Sequence, residues 1–486
     1  MLFNSFSFLV FLPVVIVGFY SLPHRFRSLF LLLASCYFYM AFVPKYVLIL
    51  FFIITIDFFL AFYIQKYSGR KRFLFLLVSI IVNLSTLFFF KYFNFFNENI
   101  TLLAEALHFN YAPILLEFAL PLGLSFHIFQ SLSYTIEVYK GNYMPEKNFI
   151  TYALYVMFFP QLVAGPIERP QHLLPQFAIV HHFDRTMVRR GLERILVGFF
   201  KKLVIADQIS VLVDATYANL PMNTYTLLFI AFLFSYQIYC DFSGYSDIAV
   251  GSAMTLGFTL VENFNRPFAA RSIAEFWQRW HISLSQWLKD YLYYPLIFSF
   301  GKINKYTLYF STVLTFTLIG LWHGANWTYL LFGFLHGIYL VCGEVIGRVR
   351  KLCERYLKTS LLNNLYQALR IIIVFILVSF SFIIFRSESV SQAWWFITHL
   401  SFETLQVSSL REALLMLTSI SGTRMLYVIV TSIILLEVLQ FFQATKKTYF
   451  LFEKNQAIHF LWVYFLIVFI LFFGRFDSQS FIYFQF

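Results

Sequence analysis

His281 and His323 are the two side chains of this sequence best suited to moving a proton. His281 lies in the run FWQRWHISLSQWLKDYLYYP, and His323 lies in GLWHGANW at the end of an apolar stretch. A neutral imidazole accepts a proton near neutral pH, which suits general-base work on a hydroxyl. Two imidazoles in a sheltered polar pocket could divide the roles of base and orienter. Each could equally be a hydrogen-bonded packing residue between helices. His127, His172 and His336 offer the same chemistry, so spacing alone selects no pair. Arg271, Arg279 and Lys289 flank the tryptophan-rich block around His281. Their cationic heads suit phosphate recognition, and equally suit a membrane interface where long basic side chains snorkel. Asp241 and Asp247 read as structuring a polar core, Asp57 as needing a polar neighbour inside an apolar stretch, and Glu168 and Arg169 as a local pair. The four cysteines (Cys36, Cys240, Cys342, Cys353) lack metal-type spacing, so no metal site is expected.

Apolar chain surrounds these groups. Of 486 residues, 60% are hydrophobic and 12% charged, with 66 phenylalanines and 31 tyrosines. Soluble domains carry about 25% charged residues, and surface-to-volume scaling limits how many rings they can bury. Lipid imposes no such limit. Runs long enough to span a roughly 30 Å hydrocarbon core recur at 6–20, 46–64, 73–90, 226–239, 306–321, 371–384, 426–439 and 460–473. Less clean runs fall at 29–43, 114–128, 152–163, 195–205 and 329–341. Together they predict roughly 11–13 membrane helices. The runs lack the period-two alternation of a barrel, so the expected fold class is all-α. No linker, repeat or low-complexity tract divides the chain, which reads as one domain over 1–486 with a C-terminal tail at 475–486.

Three stretches depart from lipid-facing helix: 160–175, 237–268 and 276–295. Polar groups at membrane depth are costly, so they must face protein or a water-filled cavity. Glycine and proline among them imply broken or re-entrant helices. The middle third is therefore the expected functional part.

A net charge of +12 does not point to nucleic acid here, because the basic residues lie between spans in a positive-inside pattern. Arg25 and Arg27 follow the first run, and Lys66, Arg70, Lys71 and Arg72 follow the third, whereas 94–111 carries Glu98 and Glu105 and no Lys or Arg. Arg348, Arg350, Lys351, Arg355 and Lys358 form a second basic loop, and Lys446 and Lys447 mark another. Alternation places both termini on the extracytoplasmic side. The first 22 residues lack a basic start and a small-residue cleavage site, so they read as a retained helix.

The runs ENFNRPFAARSIAEFWQRWHISLSQWLKDYLYYPL and LIGLWHGANWTYLLFGFLHG resemble the signature region of the membrane-bound O-acyltransferase (MBOAT) family. PQLVAGPIERP, YQIYCDFSGYSDIAVG and the opening MLFNSFSFLVFLPVV are similar to its alginate O-acetyltransferase branch. The resemblance covers essentially the whole chain. It implies a ring of tilted helices around a central cross-membrane funnel. It also implies His323 as catalytic histidine and His281 as its companion. The implied activity is O-acylation of an extracytoplasmic polysaccharide, with acetyl-CoA or another acyl thioester as donor substrate and no permanently bound cofactor. Implied partners are membrane lipids, the donor and an extracytoplasmic or periplasmic acyltransferase, and the implied location is a bacterial inner membrane. The ending FIYFQF is also similar to that of this branch, which implies Tyr483 as an acyl acceptor. A phenol ionises near pH 10, so its ester retains transfer potential. On composition alone Tyr483 reads as an interfacial aromatic anchor. Two other functions compete: a transporter or channel without chemistry, for which the paired histidines are superfluous, and acylation of a lipid or protein, for which the tyrosine tail is superfluous.

The charge asymmetry predicts that a cysteine replacing Ser68, in the first strongly basic loop, is labelled by an impermeant maleimide only after the cytoplasmic side is opened. Labelling in intact cells would invert the orientation.

Overall fold

The computed structural model describes residues 1–116, 120–356, 359–400, 407–444, 456–477 and 481–482, and among them every regular element is helical. Among the described residues seven helices are long and apolar enough to cross a membrane: Pro44–Lys66, Gly69–Ala106, Thr224–Thr255, Trp327–Val345, Leu361–Arg386, Thr423–Phe442 and Gln456–Phe473. The chain is thus an all-α polytopic membrane protein. Several other runs make shorter or interrupted helices. The run at 29–43 belongs to the 17-residue helix His24–Met40, and the run at 152–163 stops at the end of the nine-residue helix Phe149–Met157. Within the run at 114–128 a helix begins at Leu124, after Gly123 in the left-handed region at φ 72°. Gly123 can hold that turn geometry because it carries no Cβ.

The chain packs as two compact units: Met1–Leu192 with Ala249–Glu262, and Glu193–Ile248 with the described residues of Asn263–Gln485. In the first, the helix Val47–Lys66 turns Leu50, Ile53, Ile54, Ala61 and Ile64 inward while Leu48, Phe52, Phe59 and Tyr63 stay exposed. That is the helical spacing of a lipid-facing stripe. On the inward face sits Asp57, fully buried. Its carboxylate accepts from Ser79 Oγ at 2.7 Å, Ser131 Oγ at 2.6 Å and Asn83 Nδ2 at 2.8 Å. A carboxylate at this depth requires such donors, and in taking them it ties three helices together.

The proline-rich stretch leaves helical geometry between Met157 and Pro170 and is buried throughout most of its length. The open carbonyls of the helix end that precedes it are satisfied from the side. Tyr155 O accepts from Gln130 Nε2 at 2.5 Å and Gln161 Nε2 at 2.6 Å, and Val156 O from His127 Nδ1 at 3.2 Å. Irregular backbone survives at membrane depth only under such cover. Glu168 does not pair with Arg169. It takes His172 Nδ1 at 2.6 Å and the Val261 amide at 2.7 Å. Arg169 has extended backbone (φ −94°, ψ 148°), and adjacent side chains on extended chain diverge.

In the second unit one expectation is corrected. The polar stretch around Asp241 and Gly244 does not break its helix, which runs unbroken for 32 residues from Thr224 to Thr255. Gly244 serves close approach instead. A Cβ there would lie 2.8 Å from Gly198 O and 3.2 Å from Lys202 N, and one on Gly198 would lie 2.7 Å from Gly244 O. Small residues at such crossings let membrane helices touch along their backbones. Gly320 and Gly333 do the same for the helices Lys305–His323 and Trp327–Val345. A Cβ on Gly320 would strike the Tyr329 carbonyl, and one on Gly333 the Phe316 carbonyl.

This crossing predicts unequal effects of one chemical change. Gly320→Ala overpacks a backbone contact and should lower the thermal midpoint in detergent, at a cost of about 1–3 kcal/mol. Gly343→Ala, with nothing within 4 Å of the new methyl, should leave the midpoint unchanged or slightly raised. Equal midpoints would contradict the packing.

Candidate active site

His281 enters the site through its backbone. It sits at φ 44°, ψ 54°, just before the helix Ile282–Leu288. A side-chain-bearing residue held there costs about 1–3 kcal/mol and persists only where its surroundings dictate it. The dictating contacts come from a short extended pairing. Asn265 N donates to Arg279 O at 2.9 Å and Ile282 N to Asn263 O at 3.0 Å. The side chain of Asn263 completes the clamp. Its Oδ1 accepts from Ser283 N at 3.3 Å and Ser283 Oγ at 2.9 Å, and lies 3.2 Å from His281 Nδ1.

These contacts fix the tautomer. A backbone N–H can only donate, so the Asn263 atom facing Ser283 N is the amide oxygen. That oxygen can only accept, so His281 Nδ1 carries the hydrogen and Nε2 carries the lone pair. Burial, with the neighbouring His323 second, pushes the imidazole well below its ordinary range, which keeps it neutral. His281 is therefore an imidazole held neutral, in one tautomer and one orientation.

His323 is the last residue of the helix Lys305–His323. The turn after it is fixed by Asn326, whose Oδ1 accepts from Thr328 N at 3.0 Å and whose Nδ2 donates to Glu388 O at 2.9 Å. Both imidazoles are buried, with 0% and 4% exposure for His281 and His323, and both lie against Trp322. Its ring centroid is 6.0 Å from His281 and 5.0 Å from His323. Phe385, at 5.4 Å, closes on His323, and Phe242 stands edge-on to His281 at 4.6 Å.

Structure separates the rival histidines where spacing did not. His336 receives the Trp277 indole N–H at Nδ1, 3.2 Å away. Indole nitrogen only donates, so Nε2 carries the His336 hydrogen and gives it to Ser381 Oγ at 2.8 Å. Ser381 passes its own hydrogen to Val378 O at 2.7 Å. Both nitrogens are thus committed to packing. His127 and His172 belong to the first unit, where they bond Val156 O and Glu168.

The cationic candidates do not converge on the histidines. Arg279 donates to Glu275 at 2.7 Å. Arg271 is exposed, its amide donating to Glu275 at 2.8 Å. Lys289 is exposed and lies 5.5 Å from the centre of the Tyr294 ring. Asp247 binds Arg194 at 3.0 Å and Lys201 at 2.6 Å, and Asp241 binds Lys202 at 2.6 Å. Tyr483 lies outside the described residues, but its two predecessors do not. Phe481 (1% exposed) and Ile482 (5% exposed) are buried. Phe481 stacks on Tyr245 at 4.7 Å and lies 5.5 Å from Phe242. Two residues escaped the sequence reading: Asn263, one polar residue within the stretch 237–268, and Lys202, which lies in none of the three polar stretches singled out.

The two committed nitrogens of His336 predict that His336→Leu strands a buried indole N–H, at a cost of about 1–3 kcal/mol, while Ser381 keeps its bond to Val378 O. The thermal midpoint should fall while turnover per folded molecule stays within about threefold, far less than a lost base would cost. A loss of turnover at unchanged midpoint would move His336 into the chemistry.

Comparison with known proteins places this arrangement. The family model for MBOAT, the membrane-bound O-acyltransferase family, matches residues 142–386, which include every histidine contact above within the second unit. A Pseudomonas aeruginosa protein named probable alginate O-acetylase is 37% identical over 424 residues, covering 85% of this chain and 77% of its own. A Helicobacter pylori peptidoglycan O-acetyltransferase is 35% identical over 374 residues, 70% of each chain. A Bacillus subtilis teichoic acid D-alanyltransferase is 30% identical over 280 residues, 55% of this chain and 69% of its own. A buried pair of histidines in a polytopic helical protein, with likeness of this extent, has one reading: the chain belongs to the membrane-bound O-acyltransferase family and is an O-acyltransferase.

Proposed function

We propose that this enzyme moves an acetyl group from a thioester donor on the cytoplasmic side to a polysaccharide on the extracytoplasmic side of a bacterial inner membrane, with Tyr483 as the relay. The observation that carries the reading is the double contact of Phe242. Its ring touches His281 on one side and Phe481, two residues before Tyr483, on the other. The names of the relatives support an O-acyl product and a glycan acceptor, as two of them name alginate and peptidoglycan.

In the proposed first step His323 takes the phenolic proton of Tyr483 as the oxygen attacks the thioester carbonyl. The tetrahedral intermediate collapses with cleavage of the C–S bond, and the thiolate leaves with the proton from the imidazolium. Tyr483 is left as an aryl ester. His281 stays neutral beside His323, because two neighbouring imidazolium ions in a dry site oppose each other; Asn263 holds its ring still through Nδ1. In the second step a hydroxyl of an external acyltransferase or of the polymer takes the acetyl group and the phenol is restored. Splitting one transfer into two through a covalent intermediate lowers each barrier. Arg271 and Lys289, both exposed, are the groups proposed to meet the donor's phosphates. The membrane supplies the lipid contacts and the external acyltransferase is the proposed protein partner.

His323→Ala should reduce acylation of the external polymer by about 10²–10⁴-fold with normal membrane expression, and His281→Ala should also impair it. A twofold loss would assign the pair to packing. Tyr483→Phe keeps the aromatic ring and removes only the nucleophile. In cells lacking the external transferase, mass spectrometry of the wild-type C-terminal peptide should show an acetyl adduct that is absent from the Phe variant. Undiminished polymer acylation by Tyr483→Phe would reduce the tail to an anchor.

A further inference from the structure

The C-terminal segment is fastened at two points, one to residues that follow members of a buried charge cluster in the chain and one to the cluster itself. At its start, Arg475 N donates to Leu203 O at 3.0 Å, and Gln208 Nε2 to Phe473 O at 2.9 Å. At its end, Ile482 N donates to Asp241 Oδ2 at 2.6 Å. Between the two points stands Lys202, whose ammonium lies 2.6 Å from Asp241 and 2.8 Å from Asp207. All three side chains are buried.

The local fold explains how consecutive lysines come to point inward. Residues Phe200–Ala206 form a π-helical stretch, a geometry that recurs at functional sites because it re-aims side chains. Lys201 reaches Asp247 at 2.6 Å while Lys202 reaches Asp241 and Asp207. The Gly198–Gly244 approach brings this stretch against the helix carrying both aspartates. Asp241 could have spent both oxygens on Lys202. Instead its second oxygen takes a main-chain amide from the far end of the sequence, a contact that ignores side-chain identity and sets register.

We infer that Asp241, held by Lys202, is a positioning residue. It captures the Ile482 amide and, with the Phe242–Tyr245 slot for Phe481, fixes the register in which the tail meets the ring that also contacts His281. The inference rests on the relay reading of Tyr483. Its advantage is physical: a tethered acceptor docked in one register meets the donor as an intramolecular partner, without the ordering cost of a loose tail.

The test uses the full-length protein in membranes, with Cys36, Cys240, Cys342 and Cys353 replaced by Ser and Ile482→Cys as a reporter. Docked, the reporter thiol is buried and should react slowly with maleimide. Asp241→Leu removes the acceptor for the amide. It should raise the labelling rate and lower polymer acylation, each by about tenfold or more, the size of one lost charge-assisted hydrogen bond. Asp241→Asn keeps a carbonyl oxygen facing the amide and should restore both readouts to within about threefold. Phe481→Ala, placed on the tail where it does not disturb the charge cluster, should reproduce both effects of Asp241→Leu and decides the matter if that variant fails to fold. An unchanged labelling rate in Asp241→Leu and Phe481→Ala overturns the docking. Faster labelling with undiminished acylation overturns its positioning role. Tyr483→Phe should label as slowly as the parent; if it also acylates normally, the relay reading falls while the docking stands.

Discussion

Inside a bilayer a charged or polar group has no water to turn to, and the rest of this structure follows from that constraint. Each unsatisfied group costs several kcal/mol in hydrocarbon, so every polar residue kept at depth must bring its partners with it. Asp57 brings Ser79, Ser131 and Asn83 from two other helices. The open end of Phe149–Met157 brings two glutamines and a histidine. Such groups fix register as they are satisfied, because each donor has one place to be.

The same rule distinguishes histidines that share one ring chemistry. At His336 an indole donor occupies one nitrogen and a serine receives the hydrogen of the other, so the residue is spent on packing. At His281 one nitrogen is bound by an amide oxygen, whose own orientation is dictated by a backbone N–H. This leaves the lone pair on a known atom. The left-handed backbone at His281 is the strain stored in return, and the pairing of 263–265 with 279–282 sustains it. Aromatic walls from Trp322, Phe242 and Phe385 exclude solvent from the pair, and a dry enclosure strengthens the electrostatic contribution of every group inside it.

The Asp207–Lys202–Asp241 cluster answers to the rule differently. A buried ion pair returns little net stability, since desolvation offsets most of the attraction. What it supplies is specificity: a carboxylate held still by one cation offers a fixed acceptor to the Ile482 amide. The π-helical geometry at Phe200–Ala206 and the glycine contact between Gly198 and Gly244 are the structural means by which that cation reaches the buried interior.

Fold class was legible in the sequence because hydrophobic run length is a local property, and apolar runs without alternation admit only helices in lipid. The polar middle third was legible for the same reason, since groups that expensive announce themselves by residue type. Which helices break was not. Gly244 looked like a breaker and proved to be a contact, because glycine serves both ends and only the neighbouring helix decides between them. The histidine pair was carried by family likeness and not by spacing. Nothing local tells His281 from His336, as the difference lies in an indole from Trp277 and an amide from Asn263. Tertiary structure alone decided Glu168's partners, the reach of Lys202 and the burial of Phe481 beside Phe242. Hydrogen bonds and ion pairs act over about 3 Å in space, and folding brings together in that range residues such as Asp241 and Ile482 that the chain itself keeps far apart.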